Sequence, residues 1–337
     1  MSAAAVASSS VLPSTPYHKD PLEVSTMGGA AGKAASEGYS KVVDKPAIQQ
    51  DAVPFTPDPQ FDIDAVSRTD VPGVDAFYLD GILTAKECDY LVEQTEKLGY
   101  TFWDPRHENP ENDFRSAYTV EVTHQQLADL VWQRCRQFVE KVVVDIPDDP
   151  DHPNYEVDIV GRWEPYGVLN KLLFARYLEG GHFAPHTDGT SILDFNRRTM
   201  YTGLLYINDC PPGDGDTKFY CEAQKELPLE PRGPRGQLSG RPENVVFSSQ
   251  CVKGRLVMFY GSSVLHEGSW ATKKYIIRTD ILYKRKDELC TAPEDLEAFR
   301  LYMDAQLLAE KGHCDEAAKT FRKCFKLSPA LADVYGM

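Results

Sequence analysis

The chain has 337 residues, of which 36 are Lys or Arg and 51 are Asp or Glu, so its formal net charge is −15, and 42% of its residues are hydrophobic. These values describe one large globular domain or two modest ones. The acidic balance disfavours nucleic acid as a ligand, because such binding needs Lys and Arg to neutralise phosphates. No run approaches the roughly 18–20 apolar residues that span a bilayer, so we expect no membrane insertion.

The eight cysteines are scattered and form no Cys-x-x-Cys pair, which excludes the usual zinc-ribbon and redox spacings. Free thiols in a reducing compartment are the simplest interpretation. The start, MSAAAVASSSVLPSTP, lacks the basic residues and apolar core of a secretory signal, and the first arginine is Arg68, whereas transit peptides are Arg-rich. We therefore expect a cytoplasmic protein, with the nucleus as the alternative.

Residues 1–60 are rich in Ala, Ser, Gly and Pro without a sustained apolar period, which predicts a disordered tail. Order is expected from Val71, with a strand in VPGVDAFYLDGIL and then a helix. Thr84 and Glu87 fit a capping box at the start of this helix, and Gly99 fits its end.

A loop rich in Asp, Asn and Pro is predicted at 104–113, before a strand in DFRSAYTVEV and a second amphipathic helix over 125–142. From residue 169 to 285 the chain changes to short β-rich runs separated by turn residues, which is typical of a jelly roll. The sequence thus predicts a mainly β domain over 71–285, with a double-stranded β-helix core and flanking helices. A segment rich in Pro and Gly at 222–244 predicts a mobile insertion.

Residues 291–337 are predicted to form a helical hairpin. Small residues, an aromatic and a proline fall where a single tetratricopeptide repeat would have them, at Ala305, Gly312, Ala317, Phe321 and Pro329. Such repeats need about three copies to bury a core, and there is one here. We therefore expect the hairpin to pack on its own barrel, with a partner-docking surface as the alternative.

The segment RYLEGGHFAPHTDGT contains the strongest chemical signal. His186 and Asp188 are two residues apart, and on a strand such positions project from one face, so both side chains can reach one metal ion. His266, in GSSVLHEGSW, is the candidate third ligand from another strand. Two histidines and one carboxylate leave metal positions open, which suits Fe(II) that binds a bidentate co-substrate and O₂.

Two cations follow on the next predicted strand, in KYIIRTDILY. Lys274 and Arg278 lie on its even-numbered face, eight and twelve residues after His266. A buried cation at either position would bind the far carboxylate of a diacid co-substrate.

These residues resemble the iron(II)/2-oxoglutarate-dependent dioxygenase superfamily, in its prolyl-4-hydroxylase-type branch, over about residues 75–284. The resemblance implies that His186, Asp188 and His266 hold the iron. It also implies that Tyr177 lines the co-substrate pocket and that Tyr206, in LLYIND, donates a hydrogen bond to 2-oxoglutarate.

The resemblance leaves the carboxylate-binding cation open, because family members usually place it about ten residues after the second histidine. Lys274 matches the family's pairing of a cation with a following aromatic residue, whereas Arg278 offers a bidentate fork. We favour Arg278, with Lys274 as the alternative.

The implied activity is hydroxylation of a C–H bond with Fe(II), 2-oxoglutarate and O₂, giving succinate and CO₂, with ascorbate as a possible additional cofactor. A prolyl or other residue of a protein or peptide is the leading substrate, and a free amino acid or another small molecule is the alternative. Trp103, Arg115 and Trp163 are candidates for a substrate groove. The rival from another class is a catalytically silent barrel that serves as an interaction module.

Overall fold

The computed structural model describes residues 47–103, 114–144 and 159–334. The predicted 104–113 loop and the first 46 residues of the predicted tail lie outside these ranges. Within them no helix is both long and apolar enough to cross a bilayer.

Two β-sheets build the body of the protein. The strands are β1 Ile48–Gln49, β2 Ser67–Asp70, β3 Ala76–Asp80, β4 Thr101–Phe102, β5 Arg115–Ser116, β6 Tyr118–Thr123, β7 Val142–Val144, β8 Gly161–Val168, β9 Lys171–Tyr177, β10 Gly181–His186, β11 Ile192–Asp194, β12 Arg197–Tyr206, β13 Thr217–Tyr220, β14 Glu230–Pro231, β15 Leu238–Ser239, β16 Val245–Ser249, β17 Leu256–Tyr260, β18 His266–Ala271 and β19 Lys274–Arg285.

The larger sheet has twelve strands, and its main path is β1-β6-β9-β19-β12-β17-β3-β2. The smaller sheet has five strands in the order β16-β13-β18-β10-β5, and β14 pairs with β15 in a separate ribbon. Among these strands, pairing is antiparallel except between β1 and β6.

The main core contains apolar side chains from both sheets. Phe174 of β9, Phe219 of β13 and Phe259 of β17 are fully buried, and the rings of Phe219 and Phe259 meet edge to face at 5.4 Å. Burial of such large side chains is the main favourable contribution to folding. The predicted mainly β, jelly-roll architecture with flanking helices is confirmed.

Two helices, α1 (Ala85–Leu98) and α2 (Gln125–Cys135), flank the larger sheet. The predicted capping box of α1 is present, since Thr84 Oγ1 accepts from the Glu87 amide and the Glu87 carboxylate accepts from the Thr84 amide. Glu87 also joins the helices through two hydrogen bonds from Arg134 of α2, at 2.7 and 2.8 Å. This pair is buried, and its two-pronged geometry satisfies both charges.

The second helix is shorter than predicted. It ends at Cys135 and passes through a 3₁₀ turn, and Val142–Val144 then form β7 against β8. The apolar periodicity runs on past the helix end, but a run of β-branched valines favours a strand once a partner strand is available.

The chain becomes ordered earlier than predicted, because residues 47–60 belong to the folded domain. Val53 and Phe55 are buried in the main core. The ring of His124 bonds the Val53 carbonyl oxygen at 2.8 Å, and the Asp58 amide donates to Glu87 Oε1 at 2.9 Å. The prediction of a tail to residue 60 is therefore wrong for this stretch, because isolated apolar residues carry no periodic signal.

The insertion at 222–244 contains two short 3₁₀ turns and the β14–β15 ribbon. Gln237 donates to the Gly180 carbonyl oxygen at 3.2 Å, and Ser239 donates to Glu267 of β18 at 2.5 Å. The insertion therefore packs on the outer face of the smaller sheet. Its mobility stays a prediction.

Residues after 291 form helices α3 (Pro293–Glu310), α4 (Cys314–Leu327) and α5 (Pro329–Val334). They pack on the body through a second, small core in which the rings of Phe195 and Phe299 meet at 5.7 Å. Asn196 adds two hydrogen bonds to the Leu289 backbone. The hairpin thus has a docking site on its own barrel, and its likeness to a tetratricopeptide repeat stays a prediction.

Candidate metal centre

Strand pairing in the smaller sheet brings two histidines together. His186, the last residue of β10, is the register partner of His266, the first residue of β18. Their ring centroids are 4.2 Å apart. Asp188 lies two residues beyond the end of β10, where its amide donates to the Gly261 carbonyl oxygen at 2.9 Å. This contact, rather than strand alternation as predicted, sets the position of Asp188.

The three side chains converge. His186 Nε2 is 3.7 Å from Asp188 Oδ1, and His266 Nε2 is 3.8 Å from Asp188 Oδ2. One ligand atom from each residue lies within 4.8 Å of the other two, and all three residues are buried. Among the described residues this is the one such group of His, Cys, Asp or Glu.

Both imidazoles are held with Nε2 available to bind a cation. Nδ1 of His186 is 2.7 Å from the Ala184 carbonyl oxygen, and Nδ1 of His266 is 3.1 Å from the Val264 carbonyl oxygen. A carbonyl can only accept, so each Nδ1 carries the proton and each Nε2 keeps a lone pair. Burial lowers the pKa of both histidines, which keeps them neutral. Hydrogen bonds of this kind fix ligand orientation in metal sites.

Asp188 supplies the negative charge. Burial raises its pKa, but the neighbouring Arg278 guanidinium outweighs this and holds the pKa below its usual value. Its Oδ2 atom is buried without a hydrogen-bond partner. A buried carboxylate oxygen in this state is costly unless a cation accompanies it. Two neutral imidazoles and one carboxylate therefore fit an Fe(II) ion with open coordination positions.

Aromatic rings pack against the ligands. Phe183 stacks on His186 with centroids 3.5 Å apart, and Phe259 lies 4.3 Å from His266. These contacts restrict the imidazoles to one orientation and place apolar groups beside both of them.

The structure brings two of the three predicted groove residues to this wall. The Arg115 guanidinium lies 4.4 Å from the Phe183 ring and 4.9 Å from the Trp103 ring, and Trp103 Nε1 donates to the Arg115 carbonyl oxygen. Trp163 lies elsewhere, in β8, beneath the guanidinium of Arg285. The prediction of Trp163 as a groove residue is therefore not supported by its position.

Lys274 lies close to both of the predicted pocket tyrosines. It is the register partner of Tyr177, and its Nζ atom is 5.7 Å from the Tyr177 ring and 5.1 Å from the Tyr206 ring. Nζ donates to the Gly215 carbonyl oxygen at 2.6 Å. The ammonium is buried, which lowers its pKa. The Tyr206 hydroxyl donates to Thr217 Oγ1 at 2.7 Å.

Arg278 lies on the same strand but next to the metal ligands. Its Nη2 atom is 3.9 Å from Asp188 Oδ2 and 3.1 Å from Asp280 Oδ1. Lys274 and Arg278 are four residues apart, which corresponds to about 13 Å along a strand. The two predicted cations therefore occupy different ends of one site.

The sequence interpretation missed two residues here. Asp280 follows Arg278 by two positions, so the strand period predicts that both point to one side, and opposite charges there predict a pair. Thr217 has no comparable signal, because it meets Tyr206 only through the approach of the two sheets.

No protein-family model matches the sequence, and no curated protein matches it. Among solved structures, the protein is similar to a Pseudomonas putida prolyl-4-hydroxylase at 16% identity and a TM-score of 0.37, over 63% of this chain and 94% of that one. The protein is also similar to a viral collagen prolyl hydroxylase from Paramecium bursaria Chlorella virus-1, at 16% identity and a TM-score of 0.35, over 64% of this chain and 99% of that one.

A Trichoplax adhaerens prolyl hydroxylase, in complex with a hypoxia-inducible-factor peptide fragment, gives 15% identity and a TM-score of 0.39, over 61% of this chain and 83% of that one. Likenesses this distant carry no argument about chemistry, which depends on the residues of this chain.

Proposed function

We propose that the protein is an Fe(II)- and 2-oxoglutarate-dependent dioxygenase that hydroxylates a C–H bond. One observation carries the proposal: His186, Asp188 and His266 converge in a buried group whose carboxylate retains an unsatisfied oxygen. A non-catalytic barrel has no physical reason to bury these three groups together, because unpaired buried polar atoms reduce stability.

His186, Asp188 and His266 would hold the iron through two neutral nitrogens and one carboxylate. The bound ion would supply the activation of O₂ and the oxidation of the substrate, with 2-oxoglutarate converted to succinate and CO₂. The chain itself orients the ligands through Ala184 and Val264. Phe183 and Phe259 exclude water beside them.

We propose Lys274, rather than Arg278, as the residue that binds the far carboxylate of 2-oxoglutarate. A keto carbon and two methylene groups separate its two carboxylates, so the far one reaches away from the chelated end. Arg278 is only 3.9 Å from Asp188, whereas Lys274 lies farther along β19 beside Tyr177 and Tyr206. An ammonium and a tyrosine hydroxyl are suitable donors to a carboxylate.

A prolyl or other residue of a protein or peptide is the proposed substrate. The motif resemblance favours the prolyl-hydroxylase branch, and the Phe183 ring stacked on His186 makes that side of the site apolar, which suits an apolar substrate ring.

A free amino acid is the second candidate, and Arg115 favours it. Its buried guanidinium lies over Phe183, and its charge acts on both His186 and Tyr177. A cation this close to the reaction centre would pair with a substrate carboxylate.

The test is turnover of 2-oxoglutarate to succinate in the presence of proline-containing peptides or free amino acids, with mass spectrometry of each candidate substrate. We expect a peptide to gain one oxygen atom as succinate forms. Gain of oxygen by amino acids alone, with a loss of their affinity in Arg115→Met, would select the second candidate. A folded protein that binds no metal would support the interaction module instead.

A further inference from the structure

A chain of three buried charges extends from the metal ligands into the larger sheet. Asp188 faces Arg278, and Arg278 faces Asp280, at the distances given above. Each residue is at most 9% exposed. Thr202 of β12, the register partner of Asp280, donates its hydroxyl to Asp280 Oδ1 at 3.3 Å.

Neither Arg278 nor Asp280 belongs to the three residues proposed to bind the metal. Asp280 is outside the group of ligand atoms that converge. Arg278 alone beside Asp188 would oppose a divalent cation, because like charges repel strongly where water is excluded. A second buried carboxylate against Arg278 offsets this repulsion. The group Asp188, Arg278 and Asp280 then carries one net negative charge for the incoming cation.

The arrangement also restrains the carboxylate of Asp188. The amide of Asp188 is fixed by Gly261, and Arg278 approaches its side chain from the Oδ2 side. The space behind is closed, since a Cβ atom at Gly261 would lie 2.9 Å from Thr202 Oγ1 and 3.5 Å from Asp188 Cβ.

We infer that Arg278, held in place by Asp280, is a positioning residue that keeps the Asp188 carboxylate in one orientation for the metal. A carboxylate already held in one orientation would need little rearrangement when a cation binds between it and the two imidazoles. This inference rests on the proposed metal site, but not on the identity of the co-substrate or the substrate.

The experiment compares Asp280→Asn with the wild-type protein in anaerobic titrations with Fe(II) and with Co(II), whose visible spectrum reports its coordination number. Loss of a group that orients a metal ligand costs roughly 10–100-fold in metal affinity. We expect such a loss in Asp280→Asn, together with a changed Co(II) spectrum. Affinity for 2-oxoglutarate at saturating metal should remain within about twofold.

Two further variants separate this role from a loss of folding. Asp80→Asn removes an aspartate that receives two hydrogen bonds from Arg255 on the same sheet, away from the site, and should leave metal affinity unchanged. Arg278→Lys keeps a positive charge beside Asp188 but removes the planar fork of the guanidinium, so a smaller loss in the same direction is expected. Arg278→Lys keeps the inference testable if Asp280→Asn does not fold.

Unchanged metal affinity and an unchanged Co(II) spectrum in folded Asp280→Asn would overturn the inference. So would a loss confined to 2-oxoglutarate affinity, which would assign Arg278 to the co-substrate. A wild-type protein that binds metal but not 2-oxoglutarate would overturn the proposed function alone. A wild-type protein that binds no metal would overturn both.

Discussion

The two ends of the site present their cations differently, although both cations come from β19. At the metal end, Arg278 lies between two carboxylates, Asp188 and Asp280. At the other end, Lys274 donates to a backbone carbonyl and lies near two tyrosine rings, and among the described residues it forms no ion pair.

This difference explains how two basic residues on one strand take separate roles. Two carboxylates already balance the charge of Arg278, so a third carboxylate would gain little electrostatic stabilisation from it. A buried ammonium with only a neutral acceptor is poorly compensated, and burial accordingly lowers its pKa. A carboxylate bound beside Lys274 would supply the opposite charge that the buried ammonium lacks. The comparison therefore supports the proposal that Arg278 orients a metal ligand and Lys274 binds the co-substrate.

The largest effect is expected at the metal end. His186→Ala removes one of the three proposed ligands, so we expect more than about a 100-fold loss of Fe(II) affinity, since even changes to supporting residues cost 10–100-fold. Succinate formation should be lost while the protein stays folded. His182→Ala is the matched control, because His182 is a buried histidine on the same strand that also bonds a backbone carbonyl. Equal iron affinity in the two variants would contradict the ligand assignment.

The next largest effect is expected at the Lys274 end of the site, on the affinity for 2-oxoglutarate. Lys274→Met removes the charge and leaves an unbranched side chain one heavy atom shorter, and a charge-assisted hydrogen bond contributes about 1.5–3 kcal/mol. We expect affinity for 2-oxoglutarate to fall by about 10–100-fold, with iron affinity unchanged, by calorimetry under anaerobic conditions. The exposed neighbour Lys273 provides the control, Lys273→Met, which should match wild type. A normal affinity in Lys274→Met, with a loss in Arg278→Met, would reverse the assignment.

A smaller effect is expected at Tyr206. Its hydroxyl and that of Thr217 share one hydrogen bond, so either can turn a proton towards a carboxylate. Tyr206→Phe should weaken 2-oxoglutarate binding by about 3–10-fold, less than Lys274→Met, because the Thr217 hydroxyl remains as a donor. Tyr275→Phe removes a hydroxyl that donates to Glu96 outside the site and serves as the control. An equal loss in both variants would show a general effect on the larger sheet and not the loss of a donor to 2-oxoglutarate.

The smallest effect is expected outside the site, at the N-terminal cap of α1. Thr84→Ala removes the N-cap of α1, which should lower the free energy of unfolding by about 1–2 kcal/mol. Affinities for iron and 2-oxoglutarate should not change, as measured on the variant at a temperature where it is fully folded. A change in either affinity would mean that the site responds to general stability, and the variants above would then need correction.

The sequence predicted the parts of the molecule that follow a local period. The helix capped by Thr84 and Glu87, the strands between 169 and 285, and the convergence of His186, Asp188 and His266 all agree with the structure. Each depends on spacing within a few residues or on a motif whose residues the antiparallel sheet then brings together.

What the sequence missed depends on contacts between distant segments. Val53 and Phe55 are buried in the main core, where the Phe55 ring packs against Tyr90 of α1 and against His124 at the start of α2, so their own segment shows no pattern. The valines of β7 form a strand because β8 lies beside them. Likewise, the choice between Lys274 and Arg278 could not be made from their spacing after His266, because it depends on what each cation faces across the sheets.

The most direct test of the account is an anaerobic titration of the protein with Fe(II) and then 2-oxoglutarate, followed by visible absorption, with His186→Ala in parallel. The account predicts a weak charge-transfer band that appears only when both are present, and only in the wild-type protein. A folded wild-type protein that binds Fe(II) but shows no band with 2-oxoglutarate, or an equal band in His186→Ala, would contradict it.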